Sequence, residues 1–126
     1  MNTKLVTVSE DTDLEKIKHL FNDNEIRHLP VVQYKKLIGM ISLSEISFLV
    51  NPTQFELESL EEAIPKTDRI KAKNLMRTRL GKLEPDDKIE VAIDIFLNNH
   101  FHCLPVVDGD DLVGMVTPND ILKGLV

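Results

Sequence analysis

Apolar residues recur along this chain at two spacings, and the alternation between them predicts its elements. Leu5-Val6-Thr7-Val8 is a short β-favouring run. Thr12 with Glu15 three residues on then reads as a capping box opening a helix near Asp13. Leu14, Ile17, Leu20 and Phe21 fall on one helical face, with Glu15, Lys16, Lys18 and Asp23 on the other. Asn22 to Asn24 end that helix. Leu29 to Val32 predict a buried strand, and Tyr34-Lys35-Lys36 turns the chain into a second strand over Leu37 to Ile41. Ser42 and Glu45 form another capping box ahead of Ile46, Phe48, Leu49 and Val50. The order is β-α-β-β-α.

The same order returns after a shift of 75 positions without a gap: Leu29-Pro30-Val31-Val32 falls on Leu104-Pro105-Val106-Val107, and Gly39-Met40-Ile41-Ser42 on Gly114-Met115-Val116-Thr117. In the second copy Asp87 and Glu90 are expected to cap a helix carrying Ile89, Ala92, Ile93 and Phe96. Asp108-Gly109-Asp110 supplies the hairpin turn, and Thr117, Pro118 and Asp120 open a last helix to about Leu125. A repeat of this size is too small to bury a good core alone and too long for a solenoid unit. The expectation is an α/β (α+β) fold: two β-α-β-β-α units related by a pseudo-twofold and packed through their sheets, with two equivalent clefts. Residues 1–51 form the first repeat, 52–75 an insert and 76–126 the second. Within the insert a helix is expected over 54–64, apolar through Phe55, Leu57, Leu60 and Ile64 and acidic through Glu56, Glu58, Glu61 and Glu62. Pro65 stops it.

Composition changes the picture little. With 42% hydrophobic and 29% charged residues the chain is an ordinary globular one, and a formal charge of −6 opposes phosphate backbones and anionic lipid. Neither nucleic acid nor a membrane is the expected partner, and the absence of a long apolar stretch or a leader-like N-terminus points to the cytoplasm. The lone Cys103 heads the Leu104 to Val107 run, where a buried neutral thiol is expected. His100, His102 and Cys103 do not make a metal site, because alternation puts the cysteine on the opposite face and no carboxylate supports it.

Two junctions carry chemistry: Gly39-Met40-Ile41-Ser42-Leu43-Ser44-Glu45 and Gly114-Met115-Val116-Thr117-Pro118-Asn119-Asp120. With the Leu-Pro-Val-Val strand and the element order, both present twice in register, the chain resembles a pair of CBS domains. The acidic insert followed by Ile70-Lys71-Ala72-Lys73-Asn74-Leu75-Met76 is similar to the stand-alone pairs of the acetoin-utilisation type. The resemblance implies a regulatory module with no prosthetic group and no turnover. Such modules bind an adenosine-containing ligand, AMP, ADP, ATP or S-adenosylmethionine, between repeats and signal occupancy to a downstream protein, commonly as a homodimer.

Carried onto this sequence, the resemblance makes Thr117 and Asp120 the main ligand-binding pair, the hydroxyl facing a phosphate or ribose oxygen and the carboxylate the ribose diol. Ser42 and Glu45 are the counterpart, with a longer acid that intrudes on ribose space. Arg27 and His28 in the first repeat and His102 in the second, just ahead of the Leu-Pro-Val strand, are the candidate phosphate contacts. Cys103 replaces the polar residue at the second such position. The segment ahead of the opening strand helps wall the adenine; Arg69 to Leu75 supplies it for the second repeat, while the first begins at Met1, so one cleft is expected to lack a wall. The competing reading is a ligand-free dimerisation scaffold in which Thr117 and Asp120 are helix caps. In either reading a homodimer is expected, its apolar contact coming from Phe48, Leu49, Ile121 and Leu125.

Overall fold

The structure, a computed structural model, describes residues 3–50, 70–99 and 101–124. The expected helix over 54–64 lies outside them. The elements are α1 (Leu14–Asn24), β1 (His28–Gln33), β2 (Lys36–Ser42), α2 (Leu43–Val50), α3 (Ala72–Leu75), α4 (Ile89–Asn99), β3 (Leu104–Asp108), β4 (Asp111–Val116) and α5 (Pro118–Gly124). The class is α+β. The opening strand of each repeat is reduced to one bridging residue. Val8 pairs in parallel with Val31, its N–H donating to the Pro30 carbonyl at 3.0 Å and its carbonyl accepting from the Val32 N–H at 2.8 Å. Leu83 does the same with Pro105 and Val107, at 2.9 and 2.8 Å. Every atom in one set lies 75 positions from its equivalent, so the sequence register is a structural one.

The chain divides into two compact units that do not coincide with its two halves: residues 6–33 with 38–78, and residues 1–5 with 34–37 and 79–126. In the first, Leu14, Ile17 and Phe21 on the inner face of α1 are buried with Val8, Leu29, Val31, Ile41 and Ile46. Each such side chain contributes about 1.5–3 kcal/mol by leaving water. Ile70, Ala72, Leu75 and Met76 complete this core. In the second unit Leu83, Ala92, Leu104, Val106 and Ile121 form the centre. Leu49 and Ile121, read from sequence as apolar surface, are both inside. Among the described residues the exposed large apolar side chains are instead Tyr34 in the first hairpin loop, Ile89, Val91 and Leu97 on α4 and Leu122 on α5.

The hairpin ends differ in chemistry. Tyr34 and Lys35 form the two-residue loop between β1 and β2, both at positive φ (50° and 70°), which matches the strand twist at a conformational cost that glycine would avoid. The second hairpin places Gly109 (φ 65°) at that position. Lys36 of β2 and Asp111 of β4 are antiparallel partners, flanked by Leu37 N–H to Asp110 carbonyl at 3.0 Å and Leu112 N–H to Lys35 carbonyl at 2.9 Å. The 75-residue shift exchanges these two bonds.

The helix starts also correct the sequence reading. Asp13, rather than Thr12, caps α1 by accepting the Lys16 N–H at 2.9 Å. Thr12 accepts from the Ser9 N–H at 3.1 Å and donates its own N–H to the Ser9 carbonyl at 3.2 Å. Asp87 makes the same turn with Glu84, at 2.8 and 3.1 Å. A hydroxyl and a carboxylate thus close one turn geometry in the two repeats.

Gly39 is set by a close approach. A Cβ there would stand 2.9 Å from the Met76 Cβ and 2.5 Å from its sulfur. Gly39→Ala is expected to lower stability by about 1–3 kcal/mol through overpacking. Gly124→Ala, with nothing within 4 Å of the added carbon, should leave the denaturation midpoint almost unchanged. Urea unfolding of the two variants checks the contrast.

Candidate functional site

β4 runs almost directly into α5, and the junction holds Thr117 and Asp120. The Thr117 N–H donates to Asp120 Oδ2 at 2.9 Å and the Asp120 N–H to Thr117 Oγ1 at 3.2 Å, a reciprocal cap on a half-buried pair. Among the described residues Asp120 Oδ1 receives no protein donor. Asp120 also lines a cavity of about 300 Å³ within the second unit, with Leu83, Ala92, Val106, Val116 and Ile121 as apolar wall and Glu84, Asp87 and Lys88 at its polar side. That volume is at the lower end of small-molecule sites, typically about 300–1,000 Å³.

The equivalent junction in the first repeat is built differently. Ser42 Oγ shares a hydrogen bond with Ser44 Oγ at 3.0 Å, and the Glu45 carboxylate turns to Arg77, whose Nε lies 2.9 Å away. The expected Ser42/Glu45 capping box does not form. Arg77 is delivered by backbone pairing: its N–H donates to the Met40 carbonyl and the Met40 N–H to its own carbonyl, both at 2.9 Å. The counterparts of the cavity wall, Val8, Ile17, Val31, Ile41 and Ile46, are all at most 5% exposed. Ile17 stands where the second repeat has Ala92, and Ile70 to Met76 packs beside it.

A CBS-domain family model matches residues 1–51 and 72–126, most of the chain. The chain belongs to the CBS-domain family. Protein MJ1426 from Methanocaldococcus jannaschii is 29% identical over 98% of this CBS pair and 87% of its own length. Other relatives are much longer: the pair spans 46% of MJ1225 from the same organism and 22% of a homoserine O-acetyltransferase from Methanosalsum zhilinae. Among solved structures, that of CBSX2 in complex with AMP shares the fold at TM-score 0.81 and 23% identity, covering 99% of this chain and 91% of that one. One described as an acetoin utilization protein (AcuB) from Vibrio cholerae is similar at TM-score 0.78 and 25% identity, covering 99% and 85%.

The remaining candidates of the CBS pair lie ahead of the Leu-Pro-Val strands. Arg27 is exposed, and its carbonyl accepts the Leu43 N–H at 2.9 Å. The counterpart of Leu43 is Pro118, which has no N–H, so the second repeat lacks this bond. His28 is half-buried at the start of β1 and His102 is exposed. His100 lies outside the described residues, among which no three His, Cys, Asp or Glu side chains gather as a metal site. No helix among them is long and apolar enough to cross a membrane. Sequence reasoning missed Arg77. In the 75-residue register Arg77 falls on Asn2, a polar residue without charge, and the partner Glu45 lies too far away in the chain for a local pattern to show the pair.

Cys103, which heads β3, is buried, and its thiol is pushed up from 9.0 to about 12, first by burial and then by the Asp120 carboxylate. The folded state therefore holds a proton that the unfolded chain releases. That contribution to stability is complete below about pH 9 and is lost as pH rises toward 12. Stability should fall over this window, and Cys103→Ala should remove that component of the slope in pH-dependent denaturation. At pH 8 a thiol reagent should label the native protein only as fast as it unfolds.

Proposed function

We propose that this CBS pair is a regulatory module that binds an adenosine-containing ligand, AMP, ADP, ATP or S-adenosylmethionine, at Thr117 and Asp120 of the second repeat and passes occupancy to a partner protein. One observation carries the reading: Asp120 keeps an oxygen without a donor among the described residues at a largely apolar cavity, whereas Glu45 is held by Arg77. A carboxylate accepts well from a ribose diol, and apolar walls suit a purine face. AMP bound to CBSX2, a protein of the same fold, supports the ligand class. Arg27, His28 and His102 are the residues assigned to phosphates, and Ser42 with Glu45 is the weaker second location. Thermal-shift titration with the four ligands tests the proposal, because a ligand that binds only the native state raises its apparent stability. No shift at millimolar ligand would overturn it.

Asp120→Asn keeps an acceptor for the Thr117 N–H while removing the charge. Ligand affinity should drop by about 1.5–3 kcal/mol, with little change in stability. Thr117→Ala removes the cap and should also cost about 0.5–2 kcal/mol of stability. If Asp120→Asn binds as the parent does, the junction is structural. The scaffold reading draws on the completeness of the Thr117/Asp120 cap, which needs no ligand.

The proposal includes a homodimer, supported by Leu97 and Leu122 at 76% and 61% exposure. Light scattering at tens of micromolar should give twice the chain mass, and Leu122→Lys should shift it toward the monomer. A monomer mass for the parent would count against assembly.

A further inference from the structure

In the first repeat the turn before α1 is covered by the chain itself. The Leu14 N–H donates to the Ile70 carbonyl at 3.1 Å, the Ala72 N–H to the Thr12 carbonyl at 2.8 Å and the Lys73 N–H to the Glu10 carbonyl at 3.0 Å. Lys73 Nζ lies 3.7 Å from the Asp11 carboxylate. Leu14 beneath is 6% exposed and Ala72 fully buried. The 75-residue register maps this seat onto Pro85, Asp86, Asp87 and Ile89, in the same turn closed by the same two hydrogen bonds. Nothing among the described residues bonds to the Pro85 and Asp87 carbonyls or the Ile89 N–H, and none pairs with Asp86. Ile89, the counterpart of Leu14, is 50% exposed, and Pro85, Asp87 and Ile89 border the cavity.

We infer that residues 85–89 are a docking edge for a short basic segment of a partner protein, seated as Ile70 to Lys73 is on the first repeat. The partner chemistry follows from that seat: an apolar residue over Ile89, two backbone N–H groups and one carbonyl for the edge that no described residue engages, a small residue where Ala72 is enclosed, and a lysine for Asp86. A second copy is not the source, because its Ile70 to Lys73 segment is engaged in its own first repeat. The edge borders the cavity proposed for the adenosine ligand, but the inference does not rest on that reading and is tested without nucleotide.

A labelled peptide Arg69-Ile70-Lys71-Ala72-Lys73-Asn74-Leu75 is titrated into the full chain, with anisotropy and backbone amide NMR as readouts. Saturable binding is expected, with shifts concentrated on residues 84–92. Asp86→Lys should weaken binding at least tenfold, and the peptide variant Ala72→Trp should lose it. Fusing the same seven residues ahead of Met1, where the register continues, should raise the melting temperature and abolish binding in trans. Absence of saturation at millimolar peptide overturns the inference. So do shifts elsewhere that survive Asp86→Lys, or a fusion that changes neither melting temperature nor peptide binding.

Discussion

The packing of residues 70–78 against the first repeat is the contact on which this structure turns. A unit of some fifty residues cannot exclude water from both ends of its strands and from the start of its helix. Here the deficit is met by a segment from beyond the repeat. Its backbone bonds to the turn before α1, Ala72 is buried in the same core as Leu14 and Ile17, and Met76 lies so close to Gly39 that a Cβ there would have to displace its side chain. The helix that begins at Ala72 is one turn long and would not persist alone; its tertiary contacts hold it.

The same contact makes the repeats unequal. By pairing with Met40, Arg77 reaches Glu45, and the acid of the first junction becomes half of an ion pair instead of a cap. The ion pair is exposed and of small energetic value. Its effect is on availability: Glu45 is engaged by Arg77, and among the described residues Asp120 accepts through one oxygen. Ile17 in place of Ala92 adds side-chain volume where the second repeat keeps a cavity. Two junctions with one motif are thus built differently, through an acid of different length and through residues 70–78, which pack on the first.

Most of the fold could be read from the sequence because it rests on local terms. The periodicity of Leu14, Ile17 and Phe21, the Leu-Pro-Val-Val strands and the hairpin turns are properties of neighbouring residues, the 75-residue register repeats them, and the structure follows each. Helix starts were legible only to within a residue or two, since Thr12 and Asp13 are both competent caps and the turn with Ser9 decides between them. The Thr117/Asp120 cap was legible as well, being closed within four residues.

What the sequence by itself determined, then, is the repeat, its element order and the residue types at both junctions, because hydrogen-bonded turns and amphipathic faces are written within a few residues of one another. Tertiary structure alone decided that residues 70–78 complete the first core, that Arg77 takes Glu45, that Leu49 and Ile121 are core residues, and that a cavity remains beside Asp120. Each of these joins residues far apart in the chain. Which apolar face is covered, and which acid is neutralised, depends on what the remainder of the chain places against it, and no local pattern encodes that.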